Sequence, residues 1–315
     1  MLLNRESGES RFIKQLFVVD QTVEQFGQNC HSFDDVRNLI WDGQSLDLDK
    51  TNARKKMEDF FAYWFESGLW SISGKGVVKN PDYGDGPLGF RLSNYIFSSS
   101  REPQLFLSTE TEAVIRAMSV VMAIDGHTPF TLDPISRSDL ESYVRDSLPK
   151  SSRQIIEKYR PPALQKERDL GMSSQDRFGC LIDWMEILGI LVPWNKGWFV
   201  HPEEFLSPWF SVIADSEGND KEIMAENFFS KLAGLVPVVD GGLYRQIIEE
   251  VMEPGGFTIN PKYSVSTSLS SVLVSMSHKK KIEYRRDGDD GNAFILNHEK
   301  NKPAGQFSRL RLTNV

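Results

Sequence analysis

The sequence predicts a mainly α fold with short β-hairpins, an α+β class, arranged as three tandem units. Three observations carry that prediction. A helix with a single apolar stripe runs straight into a hairpin three times, over residues 52–78, 175–200 and 269–296. Upstream of each such helix there is room for two shorter ones, so the order helix, helix, helix, hairpin recurs in blocks of domain size. The composition, 40% hydrophobic and 25% charged over 315 residues, is that of a globular chain able to bury two or three cores.

Each element follows from local pattern. In the first striped helix Met57, Phe60, Phe61, Trp64 and Phe65 fall at i, i+3, i+4, i+7 and i+8, the spacing of one helical face. Phe178, Leu181, Ile182 and Met185, continued by Leu188, repeat it, and so do Leu269, Val272, Leu273 and Met276. Asp49 or Thr51, Ser173 or Ser174, and Thr267 or Ser268 are the N-cap candidates. The shorter helices are expected over 12–26 and 33–40 (capped by Ser32), 112–124 and 138–146, and 226–235 and 242–252.

The hairpins are read from turn chemistry. Asn195-Lys196-Gly197 between apolar arms is a short-hairpin signal. The polar stretch 287–292 is expected as the tip joining Ile282 and Tyr284 to Phe294 and Leu296. After the first copy, Phe90-Arg91-Leu92 is expected as a returning strand. The unit boundaries fall at 1–107, 108–220 (with a basic insertion at 150–168) and 221–315.

The run Glu186-Ile187-Leu188-Gly189-Ile190-Leu191-Val192, followed by a short hairpin, resembles the Leu-Gly-Leu/Ile passage from recognition helix into wing in winged-helix proteins. Glu66-Ser67-Gly68-Leu69-Trp70 is similar to it. The third unit departs, with His278-Lys279-Lys280-Lys281 in place of the small residue. The resemblance implies three tandem winged-helix-like units. Large chains of this kind occur among accessory proteins of bacterial DNA-modification and phage-defence clusters. It therefore implies a non-catalytic, DNA-associated protein that positions partner proteins on DNA. A protein-interaction scaffold without DNA contact and a transcription regulator are the alternatives.

Charge bounds these readings. The formal net charge is −8 and the pI about 5.3, so any DNA contact must come from a local basic patch working against the overall field. The best such patch is the third wing, where His278, Lys279, Lys280, Lys281, Arg285 and Arg286 crowd around one helix end and one strand. A second opens the first striped helix, with Asn52, Arg54, Lys55 and Lys56. In helix-turn-helix proteins those first residues of the recognition helix meet base edges, so Asn52 and Arg54 are the candidates for base contact.

Partner contact is expected from the basic arm carrying Lys150, Arg153, Lys158 and Arg160, and from Trp194 and Trp198. These two tryptophans flank the tight second turn and are expected to stack across it. Cys30 and Cys180 show no ligand or disulfide spacing. The five histidines are dispersed, and no phosphate loop, metalloprotease or nucleophile-elbow motif occurs. The sequence thus calls for no catalytic residue, metal or cofactor. With no long apolar run, it reads as a cytoplasmic chain acting on DNA and on the proteins of a multi-subunit assembly, with no membrane contact.

Overall fold

The computed structural model describes residues 12–43, 51–98, 110–123, 130–131, 175–194, 197–218, 220–253, 257–288, 292–299 and 302–313. The fold is α+β, with helices predominating and small antiparallel sheets attached.

The first region runs α1 (Gln15–Phe26), α2 (Phe33–Gly43), α3 (Thr51–Glu66), then the hairpin β1 (Trp70–Ser73) and β2 (Gly76–Lys79). Ser32 starts α2 as expected. Its Oγ accepts from the Asp35 amide at 3.2 Å, while Asp35 Oδ2 accepts from the Ser32 and His31 amides at 2.9 and 2.7 Å. This reciprocal box satisfies donors that the first turn leaves open. The stripe of α3 is buried throughout, from Met57 to Phe65. The hairpin closes on Gly74 and Lys75, with Ser73 opposite Gly76. Val77 also donates its amide to Cys30 O at 3.0 Å, so the α1–α2 connection runs along β2.

Because β2 already returns the chain, Phe90-Arg91-Leu92 forms no strand. These residues lie in helix α4 (Leu88–Ser98), which the sequence reading did not foresee. Leu88, Leu92 and Ile96 are buried at i, i+4 and i+8. Arg91 is fully buried, bonded to the Asp20 carboxylate and, at 3.2 Å, to Leu69 O. Asp20 also accepts from Trp70 Nε1 at 3.1 Å, so one buried carboxylate ties α1, β1 and α4 together.

The second region holds α5 (Glu110–Ala123), β3 (Phe130–Thr131), α6 (Gln175–Ile187), β4 (Leu191–Trp194), β5 (Gly197–Val200) and α7 (Glu203–Glu217). The sheet order is β3-β5-β4. The helix expected over 138–146 lies outside the described residues. So does the basic arm with Lys150, Arg153, Lys158 and Arg160.

The third region runs β6 (Glu222–Met224), α8 (Ala225–Leu235), α9 (Leu243–Met252), α10 (Thr267–His278), β7 (Ile282–Arg285), β8 (Phe294–Glu299), β9 (Lys302–Phe307) and β10 (Arg309–Leu312). Ser266 caps α10, accepting from the Leu269 amide at 3.4 Å, in place of the expected Thr267 or Ser268. The expected pairing of β7 with β8 does not form. β7 pairs with β10, setting Ile282 opposite Leu312 and Tyr284 opposite Leu310, while β8 pairs with β9. The buried faces explain the choice. Leu310 and Leu312 complete the apolar side of β7, whereas Phe294 and Leu296 are buried and Phe294 packs its ring on Phe229 and Phe307. β7 and β8 thus belong to different sheets and form no hairpin with each other, and residues 289–291 of the expected tip lie outside the described residues.

The buried core runs without a break across the expected unit boundaries. Trp64 of α3 packs on Trp184 of α6 at 5.8 Å, Phe90 of α4 on Trp209 of α7 at 4.9 Å, and Ser268 Oγ of α10 donates to Met122 O of α5 at 2.9 Å. Gly89 permits the closest approach, since a Cβ there would sit 2.8 Å from Ile187 O.

Candidate functional site

All three striped helices end in one device. The chain reverses through a residue in the left-handed region, Gly68 (φ 82°), Gly189 (φ 75°) and Lys280 (φ 59°). In the second and third copies the next amide reaches back to the helix, Ile190 to Met185 O at 2.8 Å and Lys281 to Met276 O at 2.9 Å. This is the six-to-one bond of a Schellman ending. The third turn therefore forms despite lacking glycine. Holding a Cβ in this region costs about 1 kcal/mol, and it places the Lys280 side chain in solvent.

Around Lys280 the predicted cations divide into two sets. Lys279 is bonded to the Glu203 carboxylate at the start of α7, which also accepts from Ser275 Oγ at 2.7 Å and lies 3.4 Å from His201 Nε2. Partial burial pushes the Glu203 carboxyl up, but hydrogen bonds from Lys279 and Ser275, with the nearby Lys279 and His201 charges, hold it below the usual carboxylate range. Arg285 bridges Glu222 at 3.3 Å and Asp287 at 3.1 Å, and Arg309 meets the same two carboxylates at 3.3 and 2.8 Å. Four charges from β6, β7, β10 and the following loop thus neutralise one another. By contrast, no described residue pairs with the side chains of His278, Lys280, Lys281 or Arg286. The first, second and last of these are exposed and Lys281 is half-buried.

At the first region's patch, Asn52 and Arg54 lie in the opening turn of α3, Lys55 is exposed and Lys56 half-buried, with no described ion-pair partner for either lysine. The outward face of α3 continues through Asp59, Ala62 and Glu66, all exposed, so its charge turns acidic toward the C-terminus. Lys75, at the tip of the β1–β2 turn, is a further exposed cation that the sequence reading passed over.

The two tryptophans do not stack on each other. Alternation along β5 puts Trp198 and Phe199 on opposite faces. Trp194, 66% exposed, meets Phe199 edge-on at 6.2 Å, while Trp198 turns inward and donates Nε1–H to Glu186. Glu186 and Asp183 also hold Lys14 of the first region, at 2.6 and 3.0 Å. Trp198 is therefore a packing residue of the α6 joint. Trp194, with exposed Val192, is left as an apolar face.

A family model, DpdG-like, matches residues 2–290. The chain belongs to the DpdG-like family. That membership links it to the Dpd DNA-modification clusters. Neither a curated protein nor a solved structure shows significant similarity to it. Among the described residues no group of three or more His, Cys, Asp or Glu side chains is placed to hold a metal ion. No helix among them is long and apolar enough to cross a membrane.

The paired set was the part hidden from sequence. Glu203, Glu222 and Arg309 lie 76, 63 and 24 residues from Lys279, Arg285 and Arg285 respectively, and only the tertiary fold brings them in.

Proposed function

We propose that this DpdG-like protein is a non-catalytic accessory of a DNA-modification system, built of three winged-helix units and holding partner proteins on DNA. The observation that carries the reading is the set of unpaired cations Lys280 and Lys281 at the end of α10 and Arg286 after β7, with the unpaired His278 beside them, in a chain of net charge −8. Cations that already face carboxylates give up one interaction to make another. Unpaired ones release counterions from DNA at no such cost.

Sheet order supports the winged-helix reading. In β3-β5-β4 the strand ahead of the striped helix pairs with the strand returning from the wing. In β6-β10-β7 the same relation recurs, with β8 and β9 inserted as an extended wing, and Cys30 plays the part of that strand against Val77. Burial then restricts how DNA is met. α10 is buried along most of its length and α6 over residues 180–187, so we assign groove insertion to the opening of α3, with Asn52 and Arg54 leading. The third unit contributes phosphate contacts from the end of α10, and partners supply any chemistry.

A second reading, a scaffold without DNA contact, is favoured by the net charge and by the exposed Trp194–Val192 face. Fluorescence anisotropy with labelled random duplex, at low and physiological salt, separates the two. The first reading expects affinity that falls steeply with salt, and a slope reduced by about 1 for each of Lys280→Glu, Lys281→Glu and Arg286→Glu. No binding at low salt leaves the scaffold reading.

A further inference from the structure

Helix α8, the turn after it, residues 262–265 and Phe294 line a half-open cavity of about 380 Å³, within the size range of small-ligand pockets. One wall is aromatic. The Phe294 ring lies 4.5 Å from Phe229 and edge-on to Tyr263 at 5.4 Å. The lining also carries two carboxylates, Asp240 and Glu226. Asp240 accepts from the Ser266 amide at 2.6 Å and has Arg245 at 3.5 Å. A carboxylate offers about four acceptor directions, so these two partners leave acceptor capacity on a group that lines the cavity. At the mouth the chain's own Lys262 ammonium sits 4.9 Å from the Tyr263 ring centroid, so this aromatic wall already holds a cation.

We propose that the cavity receives an arginine side chain from a partner protein. A guanidinium is planar, stacks on aromatic rings, is more weakly hydrated than an ammonium and bonds carboxylates in a fork. Those are the demands of a slot lined by both rings and carboxylates. The surrounding ionic groups favour a cation. Glu226 and Asp240 line the slot and Glu249 lies behind it, bonded to Arg245 at 2.6 Å, against Lys262 and Arg245. The balance is one negative charge. This site stands on the cavity alone and is independent of DNA binding.

The test is a titration of the full chain with acetyl-arginine amide, followed by the amide resonances of labelled tyrosine and phenylalanine, with acetyl-norleucine amide as the neutral control. Saturable shifts at Tyr263 and Phe294 with the arginine compound alone are expected. Gly234→Leu plugs the slot from α8, where an added Cβ meets nothing within 4 Å, and a non-glycine residue favours the helix. It should abolish the shifts, while Glu226→Gln should weaken binding about threefold, as loss of one exposed charge does. Equal shifts with norleucine amide, unchanged binding in Gly234→Leu, or no shift with either compound would each overturn the assignment.

Discussion

Helices α3 and α10 hold the same place in their regions, bury the same kind of stripe and end in the same left-handed turn, yet α3 keeps a whole charged face in water and α10 exposes only its last residue fully. Along α3 the residues opposite the stripe are Lys55, Asp59, Ala62 and Glu66, all exposed. On α10 the matching positions are Thr267, which is buried, Ser271 and Val274, which are half-buried, and His278, exposed in the last turn, and the flanking hydroxyls of Ser268 and Ser270 are buried. Ser268 donates to Met122 O at 2.9 Å and Ser270 to Val265 O at 3.3 Å, while Ser270 Oγ accepts from the Asn297 amide at 3.0 Å. A stripe shows which face is buried. Whether the opposite face is free depends on its residue types, because short hydroxyls can be satisfied by nearby backbone and charges cannot be enclosed cheaply.

The sharpest way to break this contrast is to put one charge on each helix. Ser268→Glu buries a carboxylate against the Met122 carbonyl that Ser268 now donates to, and should cost more than about 3 kcal/mol. Ala62→Glu on the exposed face of α3 should stay within about 0.5 kcal/mol. Urea denaturation of the pair measures both. A tolerated Ser268→Glu would mean that α10 is not enclosed.

The two left-handed turns give the next largest effect, with opposite signs. Gly189→Ala forces a Cβ to 2.9 Å from Glu204 Cβ at positive φ, and should destabilise by about 2 kcal/mol. Lys280→Gly removes the strain and should stabilise by about 1 kcal/mol. The same substitution deletes an unpaired cation, so DNA affinity should fall while the melting temperature rises. A stabilised variant with unchanged affinity would strip Lys280 of its proposed role and leave its side chain unexplained.

Legibility followed the range of the interactions. The striped helices, the Ser32 cap and the two tight hairpins depend on neighbours within a few residues, and the sequence displays them. Helix α4 was misread because Phe90-Arg91-Leu92 looks like a strand until Asp20, 71 residues away, accepts the Arg91 guanidinium. The pairing of β7 with β10 was missed for a similar reason: the alternating Arg309-Leu310-Arg311-Leu312 competes with the nearer β8, and burial of Phe294 on α8 settles the competition. At the candidate site the cations were legible, but not which of them were already neutralised. That depends on Glu203 and Glu222, which no local pattern links to the end of α10 or to β7.

Glu203 supplies the smallest and most discriminating test. Its carboxyl joins the start of α7 to the end of α10 through Ser275 and Lys279, yet the Lys279 side chain is 55% exposed, so Glu203→Gln should cost less than about 1 kcal/mol. Because the folded-state value of this carboxyl lies below its unfolded one, its contribution is present above the ordinary carboxylate range. It is lost as pH falls through the folded value, so wild type and variant should converge in stability on acidification. Added salt should shrink the difference at neutral pH as well. The variant also frees Lys279. If the end of α10 touches phosphates, Glu203→Gln should bind duplex more tightly than wild type, with a salt slope steeper by about 1. Tighter binding from a slightly less stable protein would tie the effect to the released cation. Unchanged binding would place the DNA contact elsewhere, at the opening of α3.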